Sequence, residues 1–241
     1  MKASVSDQRS ILDIQKFDQQ SATLKNKAAT LPELAEITST TIKQNNVRDL
    51  RIAAETELSD VKRELARAEG DVEQIVTRIE RDEKRLASGT GTPKELEQTQ
   101  HELGTLGVRR SELEEVELEI MMRVDGIKER IATLSTEENE LALVIADLNI
   151  RKENALAAIH TELEGIETDR KATTQSVSAE LLALYEKIRE SSGIGAAALA
   201  GNQCKGCNLT MNTIELQRIS GLAEDEVVRC EECRCILVRD K

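Results

Sequence analysis

The sequence predicts a mainly α protein: a long antiparallel coiled-coil hairpin with a small, cysteine-bearing C-terminal module of short β-strands. Three observations predict it. The 241 residues include one Phe, one Tyr, no Trp and two Pro, while 32% are charged. That is the composition of long helices that bury a narrow seam. Two stretches carry an apolar heptad repeat on either side of a short Gly/Thr segment. Four cysteines in two CxxC pairs then follow a Gly-rich break near residue 193.

The first arm opens with the stripe Ile14, Phe17, Ser21, Leu24, Ala28 and Leu31, and Pro32 breaks or kinks it. Between Asn45 and Ala54 the pattern is irregular, which predicts a local defect. From Leu58 the repeat is regular: Val61, Leu65, Ala68, Val72, Ile75, Ile79, Asp82 and Leu86 fall alternately three and four apart. Only Asp82 interrupts this a/d seam, and its 3.5-residue period implies a left-handed supercoil. Residues 88–92 end it. Thr92, Pro93 and Glu95 then form a helix start with a capping box. The second seam runs through Leu96, Leu103, Leu106, Leu113, Ile120, Val124, Ile127, Ile131, Leu134, Leu141, Ile145, Leu148, Ala155 and Ile159. Helix is expected to about Glu190, nearly 100 residues or about 150 Å at about 1.5 Å per residue. So short a turn between the arms forces antiparallel pairing, with Leu86 near Leu96, Ile79 near Leu103 and Leu58 near Val124. The organisation expected is a hairpin over 1–192, turning near 88–92 and broken near 32, then a separate module over 193–241.

That module holds Cys204 and Cys207 in Cys-Lys-Gly-Cys, and Cys230 and Cys233 in Cys-Glu-Glu-Cys. Two CxxC pairs roughly twenty residues apart fit a closed four-thiolate site, structural rather than catalytic because no position is left for water. One Zn2+ is the expected ion; a rubredoxin-like iron would use the same ligands. Cys235 offers a CxC alternative to Cys233. Cys233 is preferred because it repeats the spacing of the first pair, leaving Cys235 as a small buried residue or spare thiol. The module has few apolar residues and is expected to need its metal to fold.

Other motifs carry less. Gly89-Thr-Gly-Thr-Pro93 lacks the strand and the Gly-Lys-Ser/Thr of a phosphate loop, so it reads as the hairpin turn. His101 and His160 read as solvent-facing. Met121 and Met122 with Val116 and Leu118 read as the edge of the seam, with a partner-binding stripe as the alternative.

The net charge of −12 disfavours nonspecific duplex binding. Residues 196–241 hold six Lys/Arg against seven Asp/Glu and no aromatic residue, which weakens base stacking as a mode of recognition. Arg229, Arg234 and Arg239 could still form a local basic patch for a partner. No apolar run approaches the length that spans a bilayer, and MKASVSDQRS does not lead into a signal peptide. CxxC pairs without a secretory signal point to metal ligands in a reducing cytoplasm.

Several segments together resemble a bacterial family of coiled-coil hairpin proteins that end in a four-cysteine zinc ribbon, in the style of its actinobacterial members. They are Ile11-Leu-Asp-Ile-Gln-Lys-Phe-Asp18, Pro93-Lys-Glu95, the Gly195-Ala-Ala-Ala stretch before Cys204-Lys-Gly-Cys207, and Cys230-Glu-Glu-Cys-Arg-Cys-Ile-Leu237. The resemblance implies no enzymatic activity. It implies nucleic-acid-binding or transcription-linked roles, and for some members chaperone-like adaptor roles in flagellar gene expression. One departure stands out: the family usually has Gly-Arg after the fourth cysteine, and here Arg234-Cys235 follows it. The function expected is a non-enzymatic cytoplasmic adaptor or scaffold for a protein partner, linked to transcription or gene expression. RNA or DNA binding through the ribbon is the alternative. Monomer and homodimer both remain open.

Overall fold

A computed structural model describes residues 1–239; Asp240 and Lys241, which end the expected module, lie outside the described residues. The chain forms α1 (Val5–Ala29), α2 (Pro32–Ala87), α3 (Pro93–Gln175) and α4 (Ala179–Ser192), followed by a small α/β segment. That segment contains β1 (Ala196–Ala200), β2 (Gln203–Cys204), α5 (Thr213–Ser220), β3 (Val228–Arg229) and β4 (Ile236–Arg239). Two compact units divide the chain, one of Met1–Leu34 with Ile150–Lys241 and one of Ala35–Asn149.

The Ala35–Asn149 unit is the antiparallel hairpin. Thr92 and Glu95 start α3 as their spacing predicts: the Thr92 amide donates to Glu95 Oε2 (2.7 Å) and the Glu95 amide to Thr92 Oγ1 (3.4 Å). Positive φ at Gly89 and Gly91 turns the chain. Ala54, Val61, Ala68, Ile120, Val124 and Ile127 form one buried cluster, and Leu58 packs against it as its expected pairing with Val124 requires. Ion pairs cross between the arms at Arg78–Glu102, Arg123–Glu64, Arg130–Glu57 and Arg51–Glu138. As one number falls the other rises, which fixes the antiparallel sense.

One expectation changes here. The irregular stretch from Asn45 to Ala54 leaves α2 helical throughout, and the defect it predicts lies in the seam. Val47 and Ala54 are buried, and Arg51 occupies the seam position between them. Arg51 donates to Glu138 (2.8 Å), so a charged layer replaces an apolar one. The Val116, Leu118, Met121 and Met122 group is not seam edge: Leu118 is 60% and Met122 69% exposed. The seam passes through Leu113, Ile120 and Val124, and helical geometry carries these four residues round to solvent.

In the other unit the helix ends earlier than expected. α3 stops at Gln175, and Ser176–Ser178 lead into α4. The break lets Val177 join Ile11, Ile14, Leu181, Tyr185 and Ile188 in one core, while the Ser178 amide donates to Asp7 Oδ2 (3.1 Å). Gly193, in the left-handed region, then closes α4. The first-arm stripe is kept, with Ile14 and Leu31 buried and Phe17, Ser21, Leu24 and Ala28 half-buried. α1 buries Gln8, Ile11, Ile14 and Gln15, and Leu31 is buried just ahead of Pro32, which opens α2.

The sheet order is β2-β1-β4-β3, with β1 and β4 parallel and the other pairs antiparallel. The N-terminus completes this region. The Ala3 amide donates to Asp225 O, and the Val227 amide donates to Met1 O. Lys2 forms a bridge with Glu226 and an ion pair with Asp225.

Candidate metal centre

The first CxxC pair hangs from β2 and the second precedes β4. Each closes into the same tight knuckle. The Asn208 amide donates to Cys204 O (2.8 Å) and the Arg234 amide to Cys230 O (3.0 Å), with both donor residues in the left-handed region (φ 58° and 65°). Asn tolerates that conformation. Arg there costs about 1–2 kcal/mol, and this is the position where the resembling family carries Gly. Gly206 is small for packing reasons: a Cβ would stand 3.1 Å from Ala197 Cβ and 3.3 Å from Cys235 Sγ.

The two knuckles bring the sulfurs of Cys204, Cys207, Cys230 and Cys233 within 4.8 Å of one another. The Cys204–Cys233 and Cys207–Cys230 sulfur separations are both 3.9 Å. A tetrahedral ion with metal–sulfur bonds of about 2.3 Å requires sulfur–sulfur edges of about 3.8 Å. The donor set therefore fits a single metal ion with no position left over. Burial pushes the Cys233 thiol up to about 11, so a bound cation must displace protons to obtain thiolates.

Cys235 is fully buried. Its sulfur lies 3.3 Å from that of Cys233 and 3.8 Å from that of Cys204, but it is not among the four mutually close sulfurs. It packs with Ala197, Ile219, Val228 and Leu237, and burial holds its thiol protonated.

The support of the site comes largely from α1, which sequence reasoning did not connect with the cysteines. Gln15 Oε1 accepts from the Gly195 (2.7 Å) and Ala196 (3.2 Å) amides. Gln8 Nε2 donates to the carbonyls of Ala3 and Glu224, each at 3.0 Å. Ile236 N–H returns to Gly195 O (2.9 Å). The signal was present: two glutamines share the face that carries Ile11 and Ile14.

The three arginines expected as a patch are placed differently from one another. Arg229 Nε donates to Arg234 O (3.0 Å), so these two exposed residues adjoin at the second knuckle. Arg239 instead spends its guanidinium on the carbonyls of Ile219, Leu222, Ala223, Glu224 and Glu226. It fastens the loop after α5 to β4. His101 and His160 are both exposed on α3.

A coiled-coil hairpin followed by a four-thiol knuckle module defines the class of protein. The chain belongs to the CT398-like coiled coil hairpin family, whose model matches residues 14–193. It is 35% identical to the Mycobacterium tuberculosis protein Rv2229c over 246 residues, covering 99% of this chain and 98% of that protein. A solved Mycobacterium smegmatis structure is 30% identical and superposes with a TM-score of 0.88 over 100% of both chains. CT398 from Chlamydia trachomatis, 18% identical, shares the fold with a TM-score of 0.68 over 97% of this chain and 98% of its own.

Proposed function

We propose that the protein is a non-enzymatic cytoplasmic adaptor in which one Zn2+, held by Cys204, Cys207, Cys230 and Cys233, shapes a ribbon that docks onto a protein partner linked to transcription or gene expression. The observation that carries this reading is the closed donor set. Four thiolates around one ion leave it no coordination site for substrate or water, so its role is to hold the knuckles in place. The shaped surface then presents Arg229 and Arg234 on one knuckle. Among the described residues no helix is long and apolar enough to cross a membrane, which is compatible with a cytoplasmic place.

Affinity capture from native cytosol, comparing wild type with Cys204→Ser/Cys207→Ser, tests the docking role. Wild type should retain a partner that the variant loses; identical captured sets would remove the ribbon as the recognition head. Elemental analysis of freshly purified protein should find one zinc per chain. Tight, salt-sensitive RNA binding that needs Arg229 and Arg234 would favour nucleic-acid recognition instead.

A further inference from the structure

A cleft between α1, the end of α3 and α4 is lined by four cations, of which Lys25 and Lys171 have no ion pair among the described residues and Arg170 and Arg189 are held by Asp18 and Glu186. Its volume is about 610 Å³, within the range of small-molecule sites. Lys25, Arg170, Lys171 and Arg189 line it, against the carboxylates of Asp18 and Glu167. Four cations minus two anions leaves +2, on a chain whose net charge is −12. Including Glu186, which grips both guanidiniums from behind, the balance is still positive by one.

The arginines are held in place before any ligand arrives. Arg170 donates from Nε to Asp18 Oδ1 (2.8 Å) and from Nη2 to Asp18 Oδ2 (3.2 Å) and Glu186 Oε1 (2.5 Å). Arg189 donates from Nε (3.0 Å) and Nη2 (2.8 Å) to Glu186 Oε2. Tyr185 O–H donates to Asp18 Oδ2 (2.6 Å) and fixes that carboxylate in turn. Among the described residues, Nη1 of each arginine makes no hydrogen bond, and Lys25 and Lys171 have no ion pair. A guanidinium fixed on one side keeps its remaining donors oriented, and that geometry suits phosphate oxygens. Leu163 and Ala22 add an apolar wall.

We propose that this cleft binds a small, multiply charged, phosphate-bearing molecule, gripped by Arg170 and Arg189 and neutralised by Lys25 and Lys171. The site is independent of the docking role of the ribbon. Isothermal titration of the metal-loaded full chain at low ionic strength tests it, with inorganic pyrophosphate and adenosine diphosphate as separate probes. Lys25 and Lys171 are exposed, so Lys25→Gln/Lys171→Gln should stay folded. It should bind at least about tenfold more weakly than wild type, as expected for losing two charge-assisted contacts. The pair Lys43→Gln/Lys62→Gln on α2 should bind as wild type does. Equal affinity for the two probes would assign the phosphates alone, and tighter binding of the diphosphate nucleoside would add the apolar wall; both support the site. Three results would overturn it: no heat with either probe at millimolar concentration, undiminished binding by Lys25→Gln/Lys171→Gln, or saturable binding of single-stranded RNA through these lysines without binding of either probe.

Discussion

Gly195 sits where no side chain fits. A Cβ there would lie 2.4 Å from Tyr185 Cε2 and 2.9 Å from the Tyr185 carbonyl. The Gly195 amide and carbonyl are both engaged, by Gln15 and Ile236. Gly195→Ala must therefore push β1 away from α4, and should cost about 1–3 kcal/mol in chemical denaturation. Gln15→Leu removes the acceptor of two buried amides and should cost a comparable amount, about 1–3 kcal/mol. At Arg234 the sign reverses. Arg234→Gly relieves a left-handed conformation and should raise stability by up to about 1 kcal/mol, with metal content unchanged. A drop in stability on that substitution would mean that the Arg234 side chain contributes more than its backbone strain costs.

At the scale of elements, the seam of the hairpin could be read residue by residue because coiled-coil burial follows a fixed period. Asp82 is its buried exception, with Oδ2 lacking a hydrogen-bond partner among the described residues. Asp82→Leu should raise the unfolding midpoint of the hairpin, because a buried carboxylate without full compensation is replaced by apolar packing. At the hairpin turn, the hydrogen bond from the Thr92 amide holds the Glu95 carboxyl below its ordinary range. A depressed folded value means that the capping contribution is complete above the unfolded value and is lost as pH falls through the folded one. Helicity next to the turn should fray on acidification below about pH 4, followed by amide exchange at residues 94–97. The end of α3 was less legible. Thr173–Ser178 reads as tolerable helix by local propensity, and only the burial of Val177 against α1 decides the break. That contact spans more than 150 residues of sequence, so no local pattern announces it.

For the whole molecule, the CxxC spacing announced which sulfurs come together, but it did not announce the part played by Met1–Gln15. Gln8 and Gln15 look like surface residues in sequence, and their buried hydrogen bonds exist only once the two ends of the chain have met. Removing the ion should therefore act unevenly. A chelator should expose the amides of Cys230, Ile236 and Gly195 to exchange while leaving far-UV helicity almost intact, because the helices of the Ala35–Asn149 unit do not draw on the site. Loss of helicity in step with metal would refute that independence.

The pairing of Met1–Ala3 with Asp225–Val227 has a consequence for biogenesis. The hydrogen bonds of Met1–Ala3 cannot form until Asp225–Val227 have been made, so the cysteine module can close only after the hairpin, which can zip up from its turn as soon as both arms have emerged. A nascent chain stalled before Val227 should already resist protease across the hairpin and still be unable to retain metal.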